Sequence, residues 1–160
     1  NNARANDENL LERLKAKNSG ADKPLVYVES NLNGVYETVK DIIDENPTDN
    51  IGILFEQKLK VDEFYSVLSE EYEVSKYRNQ DIIPSELKNI IITTFQSAKG
   101  IEFDIVIIPY FSDSARNVLE EYYVGVTRAK NQAHILGINE IPKIMSSFDK
   151  NTYELIDNRK

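Results

Sequence analysis

Short runs of consecutive apolar residues constrain the fold of this chain most strongly. The run Ile51–Phe55 is apolar throughout, the strand predicted at Ile90–Thr94 begins with three isoleucines, and residues 105–108 are again all aliphatic. Strands without an apolar/polar alternation are buried on both faces, which is typical of parallel sheets covered by helices. The pattern therefore predicts an α/β fold with a mostly parallel sheet.

Segments with the period of a helix separate these runs. Val35, Val39, Ile42 and Ile43 recur at helical spacing before the helix-stopping pair at 46–47. Other elements are predicted in alternation: a strand at 25–28, a helix from near Lys60 to Leu68, a strand within 72–77, a polar loop through Pro84 and Ser85, a helix at 117–130, a strand at 133–136 and a closing helix at 141–148. We expect one domain at 24–150, after a polar linker at 1–23 with a short amphipathic helix and before a polar, frayed tail at 151–160.

Composition argues against several classes of protein. No apolar run approaches the roughly 20 residues of a membrane helix, and the chain has no cysteine for disulfides or thiolate metal sites. These features predict a cytoplasmic protein without a membrane partner. The net charge of −8 argues against nucleic-acid binding by the whole surface, because phosphate binding depends on lysine and arginine. A local basic track remains open, since six cations fall near the candidate motifs: Lys76, Arg78, Lys99, Arg116, Arg128 and Lys130.

The chain lacks the motifs of a self-contained nucleotide hydrolase. It contains no Gly-x-x-x-x-Gly-Lys-Ser/Thr loop to cradle phosphates, and no Asp-Glu pair at the end of an apolar strand to hold magnesium. We therefore expect no metal site. The one histidine, His134, falls within a predicted strand, and we interpret it as a packed residue rather than a catalytic base.

A small, polar turn lies between two of the predicted strands. Its residues Ser97-Ala98-Lys99-Gly100 are small enough for backbone amides to approach a phosphate or sugar closely, and Lys99 would neutralise charge there. Glu102 would accept from a ribose hydroxyl or hold a cation, and Thr94 and Gln96 would hydrogen-bond a nucleic-acid backbone. Because the turn follows a strand, we expect it at the carboxyl edge of the sheet, where ligands bind. The alternative is an ordinary turn with a solvated lysine.

The segment around Arg128 is the second candidate. On a helix, Val118, Tyr122, Val126 and Ala129 would form one apolar stripe, with Arg128 on another face beside Glu121 and Gly125. Glycine costs about 1 kcal/mol relative to alanine in a helix, so we interpret Gly125 as clearing the approach to the guanidinium. An arginine so placed can stabilise charge on a transferring phosphoryl group. The alternative is a surface arginine paired with Glu121 or Asp104.

Together these segments resemble the second RecA-like domain of superfamily 1 helicases of the UvrD/Rep/PcrA type. Residues 94–104 resemble motif V of that family, residues 123–130 resemble motif VI, and residues 51–64 resemble motif IV. The resemblance covers about residues 25–140. It implies a three-layer RecA-like fold of the P-loop NTPase type without its own phosphate-binding loop, acting as half of an ATP-dependent DNA helicase.

The resemblance assigns roles residue by residue. Arg128 would be the motif VI arginine that reaches the γ-phosphate of ATP bound by the partner RecA-like domain, and Glu102 with Gly100 would lie near that nucleotide. Thr94 and Gln96 would face single-stranded DNA, and we add Lys99 to that group. The N-terminal RecA-like domain of the same protein would supply the phosphate loop and Mg²⁺. Alone, this domain is expected not to hydrolyse ATP.

Two departures from the family pattern matter. Many relatives follow the motif IV strand with tyrosine-arginine, whereas here Phe55 is followed by Glu56, so we expect Lys58 to supply the lost phosphate contact. Only about 30 residues separate the helix ending near Leu68 from motif V, so this chain lacks the large accessory domain of some relatives. Glu56 and the acidic balance leave open a degenerate, non-catalytic module that binds nucleic acid or protein. A stand-alone flavodoxin-like domain has no phosphate loop to support it.

Overall fold

A computed structural model describes residues 22–78, 88–109 and 118–160 of the chain. Their strands form one seven-stranded sheet in the order β3-β4-β2-β5-β6-β1-β7, and every neighbouring pair is parallel. The strands are β1 (Leu25–Glu29), β2 (Ile51–Phe55), β3 (Val74–Lys76), β4 (Ile90–Thr94), β5 (Phe103–Ile108), β6 (Ala129–Ile138) and β7 (Glu154–Asp157). The predicted parallel sheet is confirmed.

Helices cover both faces of this sheet. The helices α1 (Leu32–Glu45) and α2 (Lys58–Leu68) pack on one face, and α3 (Val118–Arg128) packs on the other with the 3-10 helix Lys143–Ser147. Neighbouring strand residues alternate between the two cores: in β5, Ile105 and Ile107 face α1 and α2, whereas Val106 and Ile108 face α3. The fold is therefore the three-layer α/β sandwich that the sequence predicted.

Local signals at the ends of α1 agree with the sequence. Asn31 caps its start by accepting a hydrogen bond from the Gly34 amide at 2.9 Å, and Asn46 ends it one residue before Pro47. Val35, Val39, Ile42 and Ile43 are all buried, as their helical spacing predicted.

Three predicted elements in the C-terminal third are wrong. Helix α3 ends at Arg128 and not at Lys130, because Ala129 already pairs with Phe103 as the first residue of β6. The expected closing helix at 141–148 is only the 3-10 helix Lys143–Ser147. Residues 154–157 of the expected frayed tail are β7, which is held by backbone pairing to β1.

Some predictions lie outside the described residues. These are the amphipathic helix and most of the linker at 1–23, the loop through Pro84 and Ser85, and the position of Arg116. The division into linker, domain and tail stays a prediction. In the ranges that the structure describes, no helix combines the length and apolar character needed to cross a membrane.

Candidate nucleotide and nucleic-acid sites

The segment between β4 and β5 joins the two edges of the sheet. It leaves Thr94, whose register partner Phe55 is the last residue of β2, and it ends at Phe103, just before Ile105 pairs with the first residue of β2. Since all strands run in the same direction, Thr94 lies at the carboxyl edge and Glu102 at the amino edge. The expectation that the whole turn lies at the carboxyl edge is therefore wrong. The chain must return to the amino edge to begin another parallel strand.

The first group of predicted site residues lies at the carboxyl edge. Thr94, Gln96 and Lys58 line one cleft of about 190 Å³. In the described part of the chain, six further residues line the same cleft, from α2, from the end of β3 and the two residues after it, and from the turn: Val61, Asp62, Lys76, Tyr77, Arg78 and Ser97. Lys58 was predicted to contact the nucleotide with Arg128, but the structure groups it with the residues predicted to bind DNA.

Hydrogen bonds fix the backbone of this cleft. The Thr94 hydroxyl accepts from the Ser97 amide at 3.2 Å, which leaves its own proton available to a ligand. Beneath it, the buried Thr93 hydroxyl donates to the Tyr77 carbonyl at 2.6 Å and ties the end of β3 to β4. The exposed Gln96 and the half-buried Thr94 therefore lie on a backbone that these two hydrogen bonds hold in place.

The second group lies at the amino edge. Arg128 is the last residue of α3, and its Nη1 donates to the carbonyl of Lys99 at 3.0 Å. Its Nε is buried and has no hydrogen-bond partner among the described residues. Gly100 is exposed, with no described heavy atom within 4 Å of the position a Cβ would take, and Glu102 is also exposed. The structure thus brings Arg128 beside the part of the turn that was predicted to lie near the nucleotide.

The alternative pairings of Arg128 are not found. Within the described ranges, no hydrogen bond or ion pair joins Arg128 to Glu121 or to Asp104, whose carboxylate accepts from the Asn50 amide at 2.9 Å. A buried donor without a partner is costly, by about 1–3 kcal/mol. The guanidinium is therefore held by one main-chain carbonyl and keeps unused hydrogen-bonding capacity.

The interpretation of Gly125 is corrected. A Cβ at this position would meet Ile108 Cδ1 at 2.5 Å and Phe95 Cε1 at 3.7 Å, both in the core under α3. Gly125 therefore lets the helix lie close to β5 and does not clear a path to the guanidinium. The predicted stripe through Tyr122 and Val126 is buried, whereas Ala129 is buried as part of β6.

Lys99 lies between the two groups. Its Nζ pairs with Glu120 at 3.1 Å, and both side chains are about half exposed. Such an ion pair contributes only about 0–1 kcal/mol, so a phosphate can compete with Glu120 for this ammonium. The predicted contact of Lys99 with DNA stays a prediction.

Three carboxylates lie near one another at the carboxyl edge, on which the cleft of Thr94, Gln96 and Lys58 also lies: Glu56, Glu120 and Glu121. Burial raises the pKa of Glu121 to about 7, and the negative charges of Glu56 and Glu120 add to the effect. Glu56 follows the last residue of β2 and is thus at the opposite edge of the sheet from Arg128. Glu56 therefore does not lie with the amino-edge group that is predicted to contact the nucleotide.

His134 is a packed residue, as predicted. It is buried in β6, and the Tyr27 hydroxyl lies 2.7 Å from its Nδ1. Burial lowers the pKa of His134 to about 4, so the imidazole is neutral at pH 7. In the described part of the chain, no three His, Cys, Asp or Glu residues are grouped to hold a metal ion.

Comparison with known proteins agrees with the two motifs. The sequence model of the UvrD-like helicase C-terminal domain matches residues 89–136. A curated relative, the RecBCD enzyme subunit RecB of Chlamydia pneumoniae, is 35% identical over 83 residues, which is 49% of this chain and 7% of the relative. The matched region of that protein is therefore a small part of a much longer chain.

Solved structures share the fold. The C-terminal domain of a possible DNA helicase from Lactobacillus plantarum WCFS1 superposes with a TM-score of 0.70 at 20% identity, covering 91% of this chain and 94% of the other. Dbp5 of S. cerevisiae, bound to RNA and ADP BeF3, gives a TM-score of 0.67 at 18% identity over 89% of this chain and 44% of its own. The chain therefore shares the fold of these two solved structures, and its residues 89–136 match the sequence model of the UvrD-like helicase C-terminal domain.

Proposed function

We propose that this domain is the C-terminal motor half of an ATP-dependent DNA helicase. In this proposal Arg128 stabilises negative charge on the γ-phosphate of ATP bound by an N-terminal RecA-like domain. Gly100 and Glu102 lie against the same nucleotide, and Thr94, Gln96 and Lys99 contact single-stranded DNA. Mg²⁺ and the phosphate-binding loop belong to the partner domain.

The observation that carries the proposal is the path of residues 95–102. One end of this segment lines the cleft with Thr94, and the other end accepts the hydrogen bond of Arg128 through the Lys99 carbonyl. If Arg128 moves toward a phosphate, it must break its hydrogen bond to the Lys99 carbonyl. Nucleotide binding at the amino edge therefore changes a contact of the turn that begins after Thr94. This is a physical route for coupling ATP turnover to the grip on DNA.

The residues at the amino edge suit an anionic ligand. The single carbonyl contact leaves most of the Arg128 donors for phosphate oxygens, and the buried Nε has no partner that a bound phosphate would have to displace. The open space at Gly100 permits a close approach to the main chain. When bound, ATP supplies the phosphoryl group and Mg²⁺ neutralises part of its charge. The residues of this chain bind and orient the phosphates.

The test is DNA-stimulated ATP hydrolysis by the full-length protein that contains this domain. Arg128→Ala should lower the turnover by about 10³-fold or more, as expected for an arginine that contacts the transferring group. The matched control is Arg159→Ala, an exposed arginine paired with Asp157, which should leave turnover unchanged. Turnover of the Arg128 variant equal to wild type would refute the role of this residue.

A degenerate binding module is the second candidate, because the carboxylates Glu56, Glu120 and Glu121 crowd the edge where DNA is expected. A module of that kind binds nucleic acid or protein without ATP turnover. Absence of an intact phosphate-binding loop in the full-length sequence, together with DNA binding that ATP does not alter, would favour it. The 160-residue chain alone should show no magnesium-dependent ATP hydrolysis in either case.

A further inference from the structure

The cleft at the carboxyl ends of β3 and β4 concentrates positive charge. Among the residues that the structure describes, three cations line it, Lys58, Lys76 and Arg78, against one carboxylate, Asp62. This local excess stands in a chain whose net charge is −8. Phosphate groups are the ligands that lysine and arginine bind together, and arginine offers a planar fork that matches their oxygens.

Neutral hydrogen-bonding groups complete the cleft. The Thr94 hydroxyl accepts a hydrogen bond from the Ser97 amide, so its own proton is available for donation to a ligand. Gln96 is exposed beside it and carries both donors and acceptors. Hydroxyl and amide groups next to cations suit a phosphodiester backbone, which has charged oxygens and ester or sugar oxygens in alternation.

Asp62 competes for one of the cations. The Lys76 Nζ lies 3.3 Å from Asp62 Oδ1 and 4.9 Å from the centre of the Tyr65 ring. The two charged side chains are 45% and 52% exposed, so water screens their attraction. An entering phosphate can therefore replace Asp62 as the partner of Lys76, at some loss of binding.

The carboxyl edge is acidic on the other side of this cleft. Glu56 follows β2, the strand next to β4, and its charge acts on Glu121 of α3. A polyanion at this edge is thus attracted over the ends of β3 and β4 and repelled over the end of β2. The charge distribution defines one side of the edge as the path of a nucleic-acid backbone.

We propose that Lys58, Lys76 and Arg78 form a phosphate-binding site for the backbone of single-stranded nucleic acid, and that Asp62 limits its affinity. The site extends the contacts of Thr94 and Gln96 across β3 and rests on the proposed function in nucleic-acid binding. It reassigns Lys58 from the nucleotide to the nucleic acid.

The experiment measures binding of the 160-residue chain to fluorescein-labelled dT15 by anisotropy, between 50 and 300 mM salt. Single replacements Lys58→Gln, Lys76→Gln and Arg78→Gln should each weaken binding and reduce the slope of log K against log salt by about 0.7 per lost phosphate contact. Asp62→Asn should tighten binding by about two- to fivefold, the range expected from freeing an exposed ion pair. The control, Lys150→Gln, removes an exposed cation at the amino edge and should change neither quantity.

The outcomes separate this site from the proposed function. The gain from Asp62→Asn cannot arise from unfolding, and thermal melts of the other variants show whether they remain folded. Wild-type binding with unchanged slopes in all three cation variants would refute the site and leave the helicase proposal to the ATPase test. Absence of dT15 binding at 50 mM salt would refute it as well. Equal displacement of dT15 by poly-glutamate at matched charge would show instead a surface for acidic polypeptides.

Discussion

The buried pair of His134 and Tyr27 should make the stability of this domain depend on pH in a calculable way. The ordinary pKa of histidine is 6.5, and burial lowers that of His134 to about 4. Burial also raises the pKa of Tyr27, so its hydroxyl remains protonated and shares a hydrogen bond with Nδ1 of the neutral imidazole, 2.7 Å away. His134 is only 6% exposed, and solvent screening therefore reduces this effect little.

The sign follows from proton binding. Above pH 6.5 neither the folded nor the unfolded state protonates His134, and its full contribution to stability is present. As the pH falls from 6.5 toward 4, the unfolded state binds a proton and the folded state does not, so the free energy of unfolding decreases. With these two pKa values, the loss between pH 7.5 and pH 4.5 is about 2.5 kcal/mol.

The assay is urea unfolding followed by circular dichroism at a series of pH values, for wild type and His134→Gln. The quantity of interest is the difference between the two curves, because Glu121 titrates in the same interval with the opposite sign: its raised pKa adds stability as the pH falls through 7. Glu121 is present in both proteins, so the subtraction removes it. Tyr27→Phe is the control that removes the hydrogen bond but keeps the titrating ring. Parallel curves for wild type and His134→Gln would refute the reasoning.

Two further predictions concern a glycine and a carboxylate. Gly52→Ala should lower the free energy of unfolding by about 1–3 kcal/mol in urea titration, because its Cβ would lie 2.5 Å from the buried Phe103 ring; Gly100→Ala, at an open position, is the matched control, and equal losses at both would contradict the packing argument. Glu121→Gln should raise the free energy of unfolding at pH 8 by about 1 kcal/mol after allowing for partial exposure, and thus raise the thermal midpoint. The reason is that it removes a charge that burial and Glu56 disfavour. The gain should shrink strongly at pH 4.5, where Glu121 is protonated in the folded state and half protonated in the unfolded state, and a gain as large as at pH 8 would contradict a charge effect.

The central strands could be predicted because burial on both faces leaves a mark in each strand alone. Ile51–Phe55 and Ile90–Thr94 have the predicted bounds. Strand β7 carries no such mark, because it is an edge strand with no fully buried residue. Its signal is the backbone pairing with β1, which lies more than a hundred residues away in sequence. The end of α3 was misplaced since Ala129 satisfies the apolar stripe of a helix and the buried face of a strand equally well.

The candidate sites, like the strands, could be predicted only in part from the sequence. The resemblance to motifs V and VI implied that Arg128, Glu102 and Thr94 act together, and the structure does join the first and last of them through one turn. What the linear sequence did not give was the edge on which each lies. Lys58 was predicted to contact the nucleotide because it follows the segment that resembles motif IV. In a parallel sheet, however, a residue just after β2 lies at the same carboxyl edge as Thr94. The contribution of Arg78 depends on β3 lying next to β4, a pairing that local patterns do not predict.

The position of β1 determines when the sheet can be completed during synthesis. Strands β2, β4 and β5 pair with one another and come from residues 51–108, so they can associate early. β1 is made before them, but its two neighbours are β6 and β7, at residues 129–138 and 154–157. A nascent chain emerges from its N-terminus, and both edges of β1 therefore stay unpaired until β6 has left the ribosome. A protease present during translation should cut near residues 25–29 in chains stalled before residue 129, and not in completed ones.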